Sequence, residues 1–261
     1  MGNTKPQADH FVDSKLPTIT ASFWVMKIAA TTLGETAGDL LSMTLRVGYA
    51  VSSLVLISAF LVSLVSQLAS RRYRPLLYWT VILTTSTAGT TMSDYMDRTL
   101  GLGYAKGAAL LITALLCVFA AWRLMTGSLS VDHVKTRKAE TFYWVAILLS
   151  NTLGTALGDF LADSSGLGFM GGALLIGGLL ALVMGATFFT RASRVLLFWI
   201  AFVLTRPFGA TVGDVLTKSK DNGGLDLGTV GSSAVLGAVL LVLVVRSMLK
   251  ERRARAAPAA R

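Results

Sequence analysis

The sequence predicts an all-α integral membrane protein with eight transmembrane helices, built from four parallel repeats of two helices each. The chain of 261 residues is 53% hydrophobic and only 15% charged, whereas soluble domains are usually about 25% charged. Four runs are almost free of charge: 49–65, 107–121, 171–186 and 230–245. Each approaches the roughly 20 apolar residues that a helix needs to cross a bilayer core, so a large soluble domain is excluded.

The repeat itself is a tryptophan followed fifteen residues later by an aspartate, with a glycine between them. Each copy predicts one helix that begins near its tryptophan and a second, more apolar helix after a short turn. The repeated residues are Trp24, Gly34 and Asp39; Trp79, Gly89 and Asp94; Trp144, Gly154 and Asp159; and Trp199, Gly209 and Asp214. The eight predicted spans are about 22–43, 48–69, 76–96, 102–122, 142–162, 168–189, 195–216 and 228–248.

These spans predict a single membrane domain, 22–248, between a polar tail, 1–21, and a basic tail, 249–261. Its repeats are expected at about 22–70, 76–124, 142–190 and 195–248. Two helices per repeat bring every repeat into the membrane from the same side, as in transporters with parallel repeats.

Basic residues predict the orientation of the chain. Segments outside the repeats carry seventeen lysines and arginines, whereas the turns inside repeats carry five, Arg46, Arg98, Lys106, Lys218 and Lys220. The positive-inside rule therefore predicts that both termini are cytoplasmic. The four tryptophans then lie at the cytoplasmic interface, where we expect them to act as interface anchors.

The net charge of +10 does not indicate nucleic-acid binding here, because it concentrates in these loops and in the basic tail. We expect the tail to lie against anionic lipid headgroups. The chain has only one cysteine, and its two histidines lie in polar segments, so a Cys/His metal site within the membrane is excluded. We find no nucleophile–base pair, metalloprotease motif or phosphate loop, and therefore predict neither an enzyme nor a bound cofactor.

The aspartates are the main functional candidates. Fifteen helical residues rise about 22 Å, so each aspartate is expected in the outer part of the membrane, near the end of its helix. A carboxylate there opposes the helix dipole and is costly to insert. One interpretation is that it only caps the following turn at the interface. The interpretation we favour is that Asp39, Asp94, Asp159 and Asp214 face a site that binds a cation, a metal ion or protons.

The neighbours of the aspartates differ between repeats. Threonine, asparagine and glutamate oxygens would add ligands of the kind that Mn²⁺, Mg²⁺ or Ca²⁺ prefer; these are Glu35, Asn151, Thr32, Thr87 and Thr152. Lys27 and Arg206 are expected to tune the charge, leaving three of five acids uncompensated. Pro207 should kink its helix, and the glycines Gly34, Gly89, Gly154 and Gly209 should break helices or let them pack closely.

Four tandem two-helix units, each with one tryptophan and a glycine-rich stretch that ends in an acid, resemble an uncharacterised bacterial membrane-protein family. Its members carry "domain of unknown function 347" repeats. The resemblance covers residues of about 20–248 and supports the fold, but it implies no activity.

A second similarity is local. Glu35-Thr36-Ala37-Gly38-Asp39 is similar to the Glu-x-Gly-Asp signature of manganese/calcium–proton exchangers. The spacing is one residue longer, the following basic residue is replaced by Leu40, and only the first repeat has the glutamate.

The sequence as a whole predicts a multi-pass transporter in a bacterial inner membrane. It would exchange a small cation, a divalent metal ion, against protons through its intramembrane carboxylates. Two alternatives stay open: a carrier of organic cations or amino acids, and a non-transporting scaffold or sensor whose acids pair internally. Assembly into a homo-oligomer also stays open.

Overall fold

A computed structural model describes residues 15–256, which form eight α-helices and, within that range, no β-strand. Parts of the two predicted tails, residues 1–14 and 257–261, therefore lie outside the described residues. The last helix continues to Ala256, so much of the predicted basic tail is helical. The helices are α1 Ala21–Asp39, α2 Tyr49–Ala69, α3 Pro75–Asp94, α4 Tyr104–Thr126, α5 Arg137–Asp159, α6 Gly168–Phe189, α7 Arg194–Thr217 and α8 Thr229–Ala256.

Local sequence signals explain where several helices begin. The Thr20 hydroxyl accepts a hydrogen bond from the Phe23 amide at the start of α1, and Pro75 opens α3, where a missing amide hydrogen costs nothing. Gly48 and Gly103 precede α2 and α4 with φ of 80° and 72°. Only glycine adopts this left-handed conformation readily, and it turns the chain between the two helices of a repeat.

The odd-numbered helices form a closed inner ring. In this ring α1 packs against α3, α3 against α5, α5 against α7, and α7 against α1. The even-numbered helices lie outside, and each packs against the inner helix of the following repeat: α2 on α3, α4 on α5, α6 on α7, and α8 on α1. Four copies of one unit thus surround a pseudo-fourfold axis.

Glycines allow the inner helices to approach each other. A Cβ atom on Gly34 would overlap Ser86, and one on Gly154 would overlap Arg206. The other two repeats place Gly89 against Asn151 and Gly209 against Thr31, so the same contact occurs four times around the ring. The helices run through all four glycines and through Pro207 without ending. These glycines therefore serve packing, and the expectation that they break helices is wrong.

Six of the eight helices are long and apolar enough to cross a membrane; they are α2 and α4 to α8. The two inner helices α1 and α3 are not among them. Both bury threonine and glycine residues against neighbouring helices, and α3 also buries serines, so these polar groups face protein. The chain is thus a multi-pass membrane protein by composition, whereas eight spans and cytoplasmic termini stay predictions.

The predicted role of the tryptophans is wrong for three of the four. Trp79, Trp144 and Trp199 are buried, and Trp24 is half-buried. They belong to an aromatic cluster that fills the end of the ring where the inner helices begin, with ring centroids 5.6 Å apart between Tyr78 and Trp144. Rings enclosed by protein cannot contact lipid headgroups, because their faces already pack on other side chains.

Candidate functional site

The four aspartates lie at the opposite end of the inner helices from the aromatic cluster, and all four are buried. Asp39, Asp94 and Asp159 are each the last α-helical residue before a short π-helical turn: Leu40–Thr44, Tyr95–Thr99 and Phe160–Ser164. Single π turns occur often at functional sites. Asp214 differs, because α7 continues as an α-helix to Thr217.

Two basic side chains join the aspartates in pairs. Arg98 lies 3.1 Å from Asp94 Oδ1 through Nε and 3.2 Å from Asp159 Oδ2 through Nη2. Lys218 Nζ lies 3.0 Å from Asp39 Oδ2 and 3.2 Å from Asp214 Oδ1. Each basic residue therefore bridges two repeats, and the acids of all four repeats converge on one site.

Lys218 follows the last residue of α7 and lies just beyond that predicted span. Burial alone would lower the pKa of its ammonium group, but the carboxylates of Asp214 and Asp39 outweigh burial and raise it. Lys218 therefore stays protonated while it contacts these acids.

Arg98 and Lys218 were expected only as basic residues of the turns within repeats, and their contacts with the aspartates were not predicted. Each lies four residues after an aspartate of its own repeat, a spacing that brings side chains together on one helical face. That spacing was the signal that could have found them. When Arg98 and Lys218 are counted together with Lys27 and Arg206, the formal excess of negative charge among the five acids falls from three to one.

A second layer of polar side chains, on the side of the aspartates that faces the aromatic cluster, is centred on Glu35. Its Oε2 accepts a hydrogen bond from Arg206 Nη2 at 2.9 Å and from the hydroxyls of Thr90 and Thr155, each at 3.3 Å. All four side chains are buried. Arg206 Nε and Nη1 have no hydrogen-bond partner in the described structure, so part of the guanidinium is left unsatisfied. Arg206 is thus the counter-ion of Glu35.

Lys27 lies closer still to the aromatic cluster, and it contacts no carboxylate at ion-pair distance in the described structure. Its Nζ is 3.5 Å from Asn151 Oδ1 and 4.2 Å from the ring centroid of Phe202. Asn151 in turn donates to the Thr85 hydroxyl at 2.9 Å. Asn151 therefore belongs to the Lys27 layer and is not a ligand in the acid cluster.

Three threonines that were predicted as ligands do not reach the acids. Thr32 donates to the carbonyl of Ile28 at 2.9 Å, and Thr152 donates to that of Leu148 at 3.0 Å. Thr87 bonds to its own helix in the same way. Thr90 and Thr155, three residues further along the same helices as Thr87 and Thr152, donate to Glu35 instead.

The acids that the structure brings close enough to hold a metal ion are not the four aspartates that were predicted. Within the described range, carboxylate oxygens of Glu35, Asp39 and Asp214 lie within 4.8 Å of one another. Asp94 and Asp159 are not part of this acid triad and are bridged by Arg98. Oxygens on opposite sides of a Ca²⁺ ion are about 4.6–5.2 Å apart, since Ca–O distances are about 2.3–2.6 Å. The triad can therefore surround one ion.

Comparison with known proteins agrees with the fourfold architecture. The family model described as Repeat of Unknown Function (DUF347) matches four successive segments, residues 22–73, 77–128, 142–193 and 197–253. The chain belongs to this family. Each DUF347 repeat comprises one inner and one outer helix. No curated protein and no solved structure matches the chain.

A polar cavity adjoins the acid cluster of this DUF347 protein. Its volume is about 410 Å³, and it is bordered by three acids and two bases: Asp159, Asp163, Asp214, Arg98 and Lys218. The cavity lies at the aspartate end of the ring, whereas Tyr78, Tyr143 and Trp144 fill the other end. The site is thus accessible at one end of the ring and enclosed by aromatic side chains at the other.

Proposed function

We propose that this DUF347 protein is a membrane transporter that exchanges a small divalent cation of the Mn²⁺, Mg²⁺ or Ca²⁺ class against protons. The observation that carries the proposal is the convergence of Glu35, Asp39 and Asp214 in the inner ring, with oxygens within 4.8 Å of one another. Carboxylate oxygens are the preferred ligands of these hard cations. Buried acids without full compensation also take up protons, so one site can serve both ions.

The surroundings of the triad support a carrier over an open pore. The polar cavity reaches Asp214 from one end. At the other end, the Tyr78 and Tyr143 hydroxyls share a hydrogen bond of 2.7 Å between the neighbouring helices α3 and α5, and both side chains are buried. Passage through the protein would therefore require the aromatic cluster to rearrange, as in alternating access between two faces.

Flux measurements in proteoliposomes test this proposal. We expect the purified protein to carry Mn²⁺ in exchange for protons, and Asp39→Asn and Asp159→Asn to abolish that exchange while the protein still folds. The first variant removes a ligand, and the second leaves Arg98 free to contact other acids. Asp221→Asn, in an exposed loop, is the matched control and should retain wild-type flux. Unchanged flux in both test variants would refute the proposal.

The cavity supports a second candidate, a carrier of small organic cations or amino acids. At about 410 Å³, with acidic and basic groups on its walls, it has room for a zwitterion. Phe169 lines it, and the Tyr104 hydroxyl donates to Asp163 at 3.2 Å. A thermal-shift screen separates the candidates, since stabilisation by amino acids or amines without any response to Mn²⁺, Mg²⁺ or Ca²⁺ would favour the organic substrate.

Internal pairing of the acids favours a third candidate, a non-transporting scaffold or sensor. Every aspartate of the cluster already contacts a basic residue. Neutralising variants would then lower thermal stability, and neither the wild-type protein nor the variants would show flux. In each case we propose a bacterial inner-membrane location, cytoplasmic termini and contact between the basic end of α8 and anionic lipids, with no enzymatic activity.

A further inference from the structure

The end of the fourth repeat differs from the other three. Its inner helix lacks the π turn, and residues 218–228 fold back on the end of α7. In this segment the Leu225 amide donates to the Val215 carbonyl at 2.7 Å, and the Asp226 amide donates to the Lys218 carbonyl at 3.0 Å. The main chain of Lys218 is thereby fixed, while its side chain extends to the acids.

The two bridging cations are held in different ways. Arg98 also donates to the Tyr49 hydroxyl at 3.1 Å, and its guanidinium lies 5.9 Å and 5.8 Å from the ring centroids of Tyr49 and Tyr104. A planar guanidinium with several partners is well fixed. Lys218 places a point charge between Asp39 and Asp214 on a flexible stem. Both basic residues border the polar cavity, but only Lys218 has no further partners of this kind described for its ammonium, so it can move into the adjoining space.

The acid triad also has ligand capacity that Lys218 does not satisfy. Asp214 Oδ1 is buried and makes no hydrogen bond in the described structure, although the ammonium lies 3.2 Å away. A buried carboxylate oxygen without a good donor is costly. A metal ion at the centre of Glu35, Asp39 and Asp214 would satisfy it.

Formal charge shows why Lys218 and a divalent cation would compete for the triad. Three carboxylates and the Arg206 guanidinium together carry a formal charge of −2. One divalent cation neutralises that charge when Lys218 is withdrawn. The Lys218 ammonium lies between Asp39 and Asp214 when it is seated, so the ion and the ammonium would occupy the same place.

We propose that Lys218 is a tethered competitor of the transported ion, which occupies the triad in the empty protein and withdraws into the adjoining cavity when a divalent cation binds. This inference rests on the proposed function and deepens it. It divides the ring into an exchangeable half, from repeats one and four, and a fixed half, in which Arg98 bridges repeats two and three.

Calorimetry with MnCl₂ on the purified full-length protein at pH 8 tests the inference. We expect Lys218→Gln to bind Mn²⁺ about tenfold more tightly than the wild-type protein, because no tethered ammonium then competes for the triad. Lys220→Gln changes an exposed lysine of the same segment and should match the wild-type protein.

Lys218→Arg provides a second test if Lys218→Gln does not fold. A guanidinium can hold Asp39 and Asp214 together through two hydrogen bonds, so it should withdraw less readily and weaken Mn²⁺ binding about tenfold. Unchanged affinity in the Lys218 variants, with binding lost in Asp214→Asn, would overturn the inference but leave the proposed function intact. Absence of Mn²⁺ binding in every protein, including at pH 8, would overturn both.

Discussion

Arg206 in α7 donates to Glu35 in α1 across 2.9 Å, so that the last repeat of the chain is joined to the first near the axis of the ring. The two side chains are 0% and 4% exposed, which leaves little solvent to screen either charge. A buried ion pair of this kind stabilises little overall, yet it becomes costly when one partner is removed.

Single substitutions at this pair should therefore be more harmful than the double substitution. We expect Arg206→Met to destabilise the protein by about 3–5 kcal/mol, because the Glu35 carboxylate loses its counter-ion. Glu35→Gln combined with Arg206→Met should recover much of that loss. Thermal unfolding in detergent measures both effects. Additive losses in the double variant would show that the two side chains are not coupled.

Close packing at the repeated glycines can be tested with one methyl group. We expect Gly154→Ala to lower the unfolding temperature, at a cost of about 1–3 kcal/mol, because the new Cβ would overlap Arg206 in the neighbouring helix. Gly178→Ala, in α6, is the matched control, since a Cβ there meets open space. It should be neutral or slightly stabilising. Equal effects at the two positions would contradict the packing role.

The segment before α1 is fastened to the bundle by a buried ion pair. Lys15 Nζ lies 2.7 Å from Glu140 Oε2 and 3.1 Å from the Leu68 carbonyl. We expect Glu140→Gln to weaken this attachment and to speed cleavage near Lys15 in limited trypsin digestion. Asp132→Asn, at an exposed loop position, is the control and should be cleaved like the wild-type protein. Identical rates in all three proteins would refute the attachment.

The single cysteine tests whether α4 faces lipid. Cys117 lies in the middle of α4 and is exposed at the protein surface. We expect a lipid-soluble maleimide to label it in vesicles and a charged, membrane-impermeant maleimide not to. The control places a cysteine in a polar loop, as Lys135→Cys in a Cys117→Ser background. This cysteine should react with the charged reagent in permeabilised vesicles. Rapid labelling of Cys117 by that reagent would contradict membrane embedding.

Much of the architecture could be predicted because it depends on local and repeated signals. Apolar runs, interrupted by glycine or polar turns, predicted all eight helices to within about five residues at each end, except that α8 continues eight residues further, to Ala256. The spacing from tryptophan to aspartate predicted four equivalent units, which the family model matches in the same places. The roles of the tryptophans could not be predicted in this way, because a tryptophan at a helix start fits an interface as well as a packed cluster.

The site was predictable only in part. The four aspartates and Glu35 stand out as acids in apolar helices, and Arg206 as a basic residue in the same setting. Arg98 and Lys218 were concealed among the turn residues. Their function depends on a second aspartate from another repeat, Asp159 for Arg98 and Asp39 for Lys218.

The amino-acid sequence by itself determined the fourfold helical repeat, its apolar surface and the presence of acids within its inner helices. Hydrophobic periodicity and chain connectivity are enough for that, since each helix forms within one stretch of residues. Only the tertiary structure decided which acids meet, which cation each one contacts and which end of the ring is filled by aromatic rings. Those properties arise between helices distant in the sequence, and a ring that closes repeat four onto repeat one brings Asp39 and Lys218 to within 3.0 Å across 179 positions.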